Sequence, residues 1–223
     1  FLFMCTTKGT VKKTELTDFS NVRKTGLIAI KLRPEDELHW IRQASLNSEI
    51  VIITKEGKSI RFNENEVKPT GRASMGVRGI RVKKDDIVVQ MDAVKSPDKA
   101  ELLVIMENGL GKCTPLNNYR LQSRGGTGVK TANITTKTGK VVGAKIIEED
   151  DKSDLIIVSK MGQVIRMNLK AIPSQGRTTQ GVYLMRLNKE DKVASISVIQ
   201  ETKEDGTPIE KNEEVDKLQA TIN

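Results

Sequence analysis

One pattern, written four times along the 223 residues, constrains this chain more than any other feature. Each copy opens on an apolar run closed by a glycine: FLFMCTTKG at Gly9, IVIITKEG at Gly57, LLVIMENG at Gly109 and LIIVSKMG at Gly162, spaced 48, 52 and 53 residues apart. A second glycine follows 17 or 19 residues later, at Gly26, Gly76, Gly128 and Gly181. Past it run LIAIKL, VRGIRV, VKTANI and VYLMRL, then a polar turn, then a last strand such as VVQMDAV, VVGAKII or VASISVI. Short β-branched runs punctuated by turn residues predict antiparallel strands. Four such strands in a unit of about 50 residues, repeated, predict blades that bury their faces against one another. The chain is therefore expected to be all-β, a propeller-like domain over residues 1–199 with four-stranded repeats at 1–48, 49–100, 101–152 and 153–199.

Within each repeat the first strand is almost continuously apolar, which predicts burial on both faces. The strands after the glycines alternate and are expected to show one face to water. Helical periodicity is nearly absent. The longest apolar runs, Ile50 to Ile53 and Leu102 to Met106, fall far short of the ~20 residues that span a bilayer, so no membrane partner is expected. Phe1 begins directly on strand-like sequence without a basic leader or cleavage site, as expected of a segment of a longer chain. Cys5, Cys113 and the single His39 cannot supply a four-ligand zinc site. Both thiols are expected to be reduced and packed as small apolar side chains.

Charge points to a polyanionic partner. The net +8 conceals an acidic end, because residues 200–223 hold seven acids against three lysines and read as a flexible tail. Residues 1–199 are left with 34 basic and 22 acidic side chains, a net +12, and duplex nucleic acid is the first candidate. Seven aromatic residues provide no stacking platform for single strands, and no recognition helix or zinc finger predicts base-specific reading.

The basic positions also keep register with the repeat. Three or four residues after the first glycine stand Lys12 and Lys13, Arg61, Lys112 and Arg166. Four before the second stand Arg72, Arg124 and Arg177, with Arg23 and Lys24 in the shorter first loop. Two after it stand Arg78 and Lys130, and five after it Lys31, Arg81 and Arg186. A solvated strand-end cation accounts for any one of these. The shared register argues for a circumferential stripe that contacts phosphates, which sets the path of a duplex without reading its bases.

The sharpest motif lies in the third repeat: Tyr119-Arg120-Leu121-Gln122-Ser123-Arg124-Gly125-Gly126-Thr127-Gly128. It resembles the Gln-basic-Arg-Gly-Gly-basic-Gly box of the C-terminal DNA-wrapping domains of DNA gyrase A. The match covers Gln122, Arg124, Gly125, Gly126 and Gly128, and the departures are the uncharged Ser123 and Thr127. The likeness extends to TTKGTVKKTELTDFSNVRKTGLIAIKL in the first repeat, GRASMGVRGIRV in the second and GRTTQGVYLMRL in the fourth. The corresponding domains of topoisomerase IV carry similar repeats and are the close alternative.

The resemblance implies a six-bladed β-pinwheel whose blades exchange strands, with blades three to six in this chain and the full box upstream of Phe1. It implies duplex DNA as the partner of Arg120, Gln122, Arg124 and the recurring cations. It also implies the rest of gyrase A, and gyrase B, as partners in an A2B2 enzyme of the bacterial cytoplasm that supports negative supercoiling. The nucleophilic tyrosine and the ATP and magnesium sites of that enzyme belong to other parts, so no catalytic residue and no cofactor are expected here. Independently, the chain has no phosphate-binding Gly-Lys-Ser loop, and His39 has no triad company. A basic rim that docks an acidic protein is the alternative from a different functional class.

Overall fold

The computed structural model describes residues 1–22, 24–148 and 151–199. Its regular elements are strands and single 3-10 turns. The first repeat supplies β1 (Leu2–Thr6), β2 (Thr10–Thr14) and β3 (Leu38–Gln43). The second supplies β4 (Glu49–Thr54), β5 (Lys58–Asn63), β6 (Val77–Arg78) and β7 (Val88–Val94). The third supplies β8 (Ala100–Met106), β9 (Leu110–Lys112), β10 (Val129–Lys130) and β11 (Val141–Glu148). The fourth supplies β12 (Asp154–Ser159), β13 (Val164–Asn168), β14 (Val182–Tyr183) and β15 (Val193–Ile199). The acidic stretch expected as a tail lies outside the described residues.

In every repeat the first strand is central, paired antiparallel with the strand after its glycine and with the last strand of the same repeat. The remaining strand is exchanged. β6 pairs with β2, β10 with β5 and β14 with β9, so three sheets take their outer strand from the repeat that follows. This is the exchange that the resemblance implies, with four strands contributed by each of the second, third and fourth repeats and three by the first. The third strand is only two residues long, and in the first repeat the equivalent segment forms no strand. Its shortness has a visible cause. Just past β6 the chain bends to place two successive amides, of Gly79 and Ile80, on Gly9 O, and Leu184 and Met185 do the same on Gly109 O, which ends the ladder. Among the described residues β13 receives no exchanged strand, and the fourth sheet has three strands.

Strand periodicity explains the apolar runs. On β4, Ile50 and Ile52 pack with Phe3, Cys5 and Val11 of the first repeat, while Val51 and Ile53 pack with Leu102, Val104 and Met106 of the third. On β8, Leu103 and Ile105 turn the other way, onto Leu155 and Ile157 of the fourth. β4 and β8 are thus walls shared by two cores, whereas β1 and β12 each line one, and burial of each such side chain is worth about 1.5–3 kcal/mol. The second strand departs from expectation. β2 is buried along its whole length and β5 along most of it, because the exchanged strand and its loop cover what would otherwise face water. β13, without that cover, leaves Val164 59% exposed.

Exchange also explains the second glycine. A Cβ at Gly76 would stand 2.4 Å from Val11 O, at Gly128 2.4 Å from Ser59 O, and at Gly181 2.5 Å from Gly111 O. Each incoming segment meets the preceding repeat backbone to backbone at this position.

Candidate nucleic-acid interface

Each exchanged strand arrives with the loop before it, and that loop is stitched to the preceding repeat. Thr70 N–H donates to Lys13 O (2.9 Å), and Gln175 N–H donates to Cys113 O (2.8 Å). In the third repeat Gln122 N–H donates to Arg61 O (2.8 Å) and Gly125 N–H to Gly79 O (2.6 Å), while Gly126 O accepts from Arg81 N–H (2.8 Å). Side chains extend the stitching. Arg124 donates from Nε to Glu66 O (2.9 Å) and from Nη1 to Arg78 O (3.1 Å), and Arg177 Nη1 donates to Lys130 O (2.8 Å). An arginine four residues before the second glycine therefore reaches back to the carbonyl two residues past the previous one. Arg124 and Arg177 are half-buried by this role, as is Arg72 in its loop.

Four cations expected on the rim lie inside. Lys12, Lys13, Arg61 and Lys112 are all less than 9% exposed. Lys13 and Glu64 form a buried ion pair between the first two repeats, and Glu64 also accepts from Asn47 N–H. Arg61 pairs with Glu49 and donates from Nη1 to Leu116 O and Tyr119 O, both at 2.8 Å. Lys12 Nζ donates to Ala29 O and Arg72 O, both at 2.6 Å. Lys112 Nζ donates to Gly176 O (2.6 Å), Arg177 O (2.7 Å) and Thr179 Oγ1 (3.1 Å). The physical reason is the exchange, since these side chains leave β2, β5 and β9 beneath the incoming segment, where Lys12, Arg61 and Lys112 find its carbonyls and Lys13 the Glu64 carboxylate. Burial lowers the pKa of both Lys12 and Lys112, that of Lys112 to about 8 with the neighbouring Arg177 charge as a second cause. Burial likewise pushes the Cys5 and Cys113 thiols up.

The remaining positions do face water. Lys24, Lys31, Arg78, Arg81, Arg120, Lys130 and Arg186 are exposed. Lys130 Nζ rests on Asn133 Oδ1 (2.8 Å), and the exposed Arg166 pairs with Asp154 at 2.7 Å. Gln122, Gly125 and Gly128 are half-buried and Gly126 is exposed, while Arg23 lies outside the described residues. Arg78 and Arg81 share an open cleft of about 440 Å³ with Lys8 and Arg33 of the first repeat. The carboxylate in that cleft, Asp36, is already occupied by the hydroxyls of Thr6 and Thr7 and the amide of Lys8. Lys8 pairs with the exposed Glu35 at 3.5 Å, and the three arginines around one tied carboxylate leave a field that suits a phosphate. Between the third and fourth repeats the corresponding cleft holds Lys137, Tyr183 and Arg186 but also Glu190 and Asp191, so it lacks the positive excess of the first. Lys8 and Arg33 escaped sequence reasoning because the position of Lys8 is basic in no other repeat and that of Arg33 only in the second, as Lys83, so the register offers little signal for them. Among the described residues no group of His, Cys, Asp or Glu is arranged to hold a metal.

A family model described as the DNA gyrase C-terminal domain, a β-propeller, matches residues 1–45, 48–95, 100–148 and 153–200. The DNA gyrase A protein of Staphylococcus aureus strain NCTC 8325 / PS 47 is 41% identical over 207 residues, which are 93% of this chain and 23% of that protein. The chain thus spans about a quarter of the length of the curated relatives it matches. A solved gyrase A C-terminal domain superposes with a TM-score of 0.76 at 29% identity, covering 88% of this chain and 64% of the other. The C-terminal domain of a DNA topoisomerase IV superposes with a TM-score of 0.82 at 21% identity over 89% of this chain and 61% of the other, a likeness of fold.

Proposed function

Because this chain belongs to the DNA gyrase C-terminal domain family, we propose that it binds duplex DNA without reading its sequence and bends it along the basic rim. The observation that carries the reading is the set of exposed cations at repeated positions, Lys31, Arg81 and Arg186 five residues past the second glycine and Arg78 and Lys130 two past it. These residues sit on or beside the exchanged segments, so a duplex following them crosses from repeat to repeat at the points where the fold is stitched. Bending 20–30 bp by 40–90° costs about 1–6 kcal/mol, which neutralising roughly 6–10 phosphates offsets while counterions are released. Phosphate contacts from strand ends supply register and path, which matches an interface with no helix to enter a groove.

In a whole gyrase A protein, this segment would hold a bent DNA segment for a type II topoisomerase that passes strands elsewhere and works with gyrase B. Supporting negative supercoiling in the bacterial cytoplasm belongs to that larger assembly, and so do its ATP and magnesium. We assign this segment binding and bending and no chemical step. The 41% identity to gyrase A favours that enzyme over topoisomerase IV.

The test is equilibrium binding to unrelated duplexes of equal length across a salt series. The expected result is one affinity for all sequences and a slope of log K against log salt of about −5 to −9, from roughly 6–10 neutralised phosphates. A shallow slope, or tighter binding to an acidic polypeptide than to duplex, contradicts the reading and favours an acidic protein partner.

A further inference from the structure

We infer that Lys12 and Lys112 are positioning residues for the DNA contact: each buried ammonium holds the carbonyl of the arginine in a Gly-Arg loop donated by the following repeat, and so sets where Arg72 and Arg177 stand on the rim. The inference rests on the DNA-binding reading and deepens it.

Two copies of one device carry the argument. The loop over Lys12 runs Thr70-Gly71-Arg72-Ala73-Ser74, and the loop over Lys112 runs Gln175-Gly176-Arg177-Thr178-Thr179. Both close on themselves in the same way, Ser74 Oγ donating to Gly71 O (3.0 Å) and Thr179 Oγ1 to Gly176 O (2.9 Å). Each is tied onward at its last residue, Lys31 N–H to Ser74 O (3.0 Å) and Asn133 N–H to Thr179 O (3.1 Å). Beneath each, a fully buried lysine three residues past the repeat's first glycine donates to the arginine's own carbonyl, Arg72 O at 2.6 Å and Arg177 O at 2.7 Å.

The second repeat supplies the contrast. Its residue at this position is Ile60, and the loop above it is the Ser123-Arg124-Gly125-Gly126 stretch, with Gly126 packed over the isoleucine. That loop is held by other means, through Arg61 on Leu116 O and Tyr119 O and through Arg124 on Glu66 O and Arg78 O. A lysine therefore accompanies the Gly-Arg loops, of which the one at Arg177 has a single arginine clamp, to Lys130 O, and an apolar residue accompanies the loop held by Arg61 and by two bonds of Arg124. Charge-assisted bonds inside a protein hold their acceptors more firmly than neutral ones, and both lysines are closed off from a phosphate by burial, Lys112 with its three donors on two carbonyls and a hydroxyl and Lys12 with two of its three on carbonyls. Lys12 and Lys112 thus act through the loop.

The experiment compares Lys112→Met, Arg177→Ala and the double variant in the full chain at neutral pH, with duplex affinity across a salt series and backbone hydrogen exchange over residues 175–181 as readouts. Thr179→Val removes one acceptor of Lys112 together with the loop's own bond to Gly176 O, and serves if Lys112→Met does not fold, with Ser74→Ala, which removes only the matching closure over Lys12, as its control. The expected result for Lys112→Met is about tenfold weaker binding and a salt slope shallower by about 1, although Lys112 touches no phosphate, with faster exchange in the loop. The double variant should bind no more weakly than the worse single one, because both changes remove the same contact. Thr179→Val should move every readout in the same direction and less far. Losses that add in the double variant, or unchanged affinity in spite of a loosened loop, would overturn the inference while leaving the DNA reading intact. A wild-type chain without duplex affinity overturns the DNA reading itself, and this inference with it.

Discussion

Replacing Gly76 and Gly26 separately by alanine isolates the contribution of strand exchange. Both residues are left-handed, with φ of +82° and +76°, so each substitution carries the same conformational cost of about 1–2 kcal/mol. Their surroundings differ. A Cβ at Gly76 meets Val11 O at 2.4 Å and Lys12 Cβ at 3.1 Å, whereas at Gly26 nothing lies within 4 Å. Val11 O belongs to the β2 backbone that pairs with Val77, and it cannot retreat without disturbing that ladder. Relieving the overlap should cost a further ~1–3 kcal/mol, as overpacking does. Gly76→Ala is therefore expected to destabilise by about 2–5 kcal/mol and Gly26→Ala by about 1–2 kcal/mol. Urea unfolding followed by tryptophan fluorescence reads both, since Trp40 packs against the core shared by the first two repeats. Equal losses at the two positions would show that close approach between repeats contributes nothing, and the account of the second glycine would fall.

Three further outcomes follow from side-chain placement. Lys13→Met strands the Glu64 carboxylate in the core and should cost about 3–5 kcal/mol, much of which Lys13→Met with Glu64→Leu restores; a double variant as unstable as the single contradicts the pairing. Arg120→Ala should leave stability within about 0.5 kcal/mol while weakening all duplexes equally, whereas Arg124→Ala also loses its bonds to Glu66 O and Arg78 O and should destabilise by about 1–3 kcal/mol. Lys112 titrates at about 8 folded, against 10.5 when free, because of burial. Below that value both states hold the proton and the folded state bears the cost of burying it. Between pH 8 and 10.5 the unfolded chain holds more proton, so this group makes stability rise with pH across that window. The stability of the wild type relative to Lys112→Met should climb there, and a flat or falling difference contradicts the burial of the charge.

Blade number and the central strands were legible because both are properties of one repeat. The glycine register needs only local turns, and the unbroken apolar runs of β4 and β8 follow from having a neighbouring blade on each side. Strand exchange was not legible from the residues themselves. Val77–Arg78 and Val182–Tyr183 are too short to carry a pattern, and pairing within a repeat or with the one before it places the same residues in a strand. The basic register is a property of the repeat in sequence, and its members divide by depth in the fold. Arg78 and Arg81 face water, whereas Lys12 and Lys112 lie under a neighbour's loop and meet carbonyls. Nothing within one repeat distinguishes these fates, because the covering atoms lie about 60 residues further on, a separation at which only the assembled fold sets the contact.

Energy transfer between dyes on the two ends of a duplex, measured on binding for lengths of about 20 to 150 bp, tests the central claim most directly. The account predicts that transfer rises with binding on duplexes long enough to follow several repeats, and that the rise and the affinity both fade as salt increases. Salt-sensitive binding that leaves the end-to-end distance unchanged at every length would contradict it and reduce the basic rim to a straight anchor on DNA.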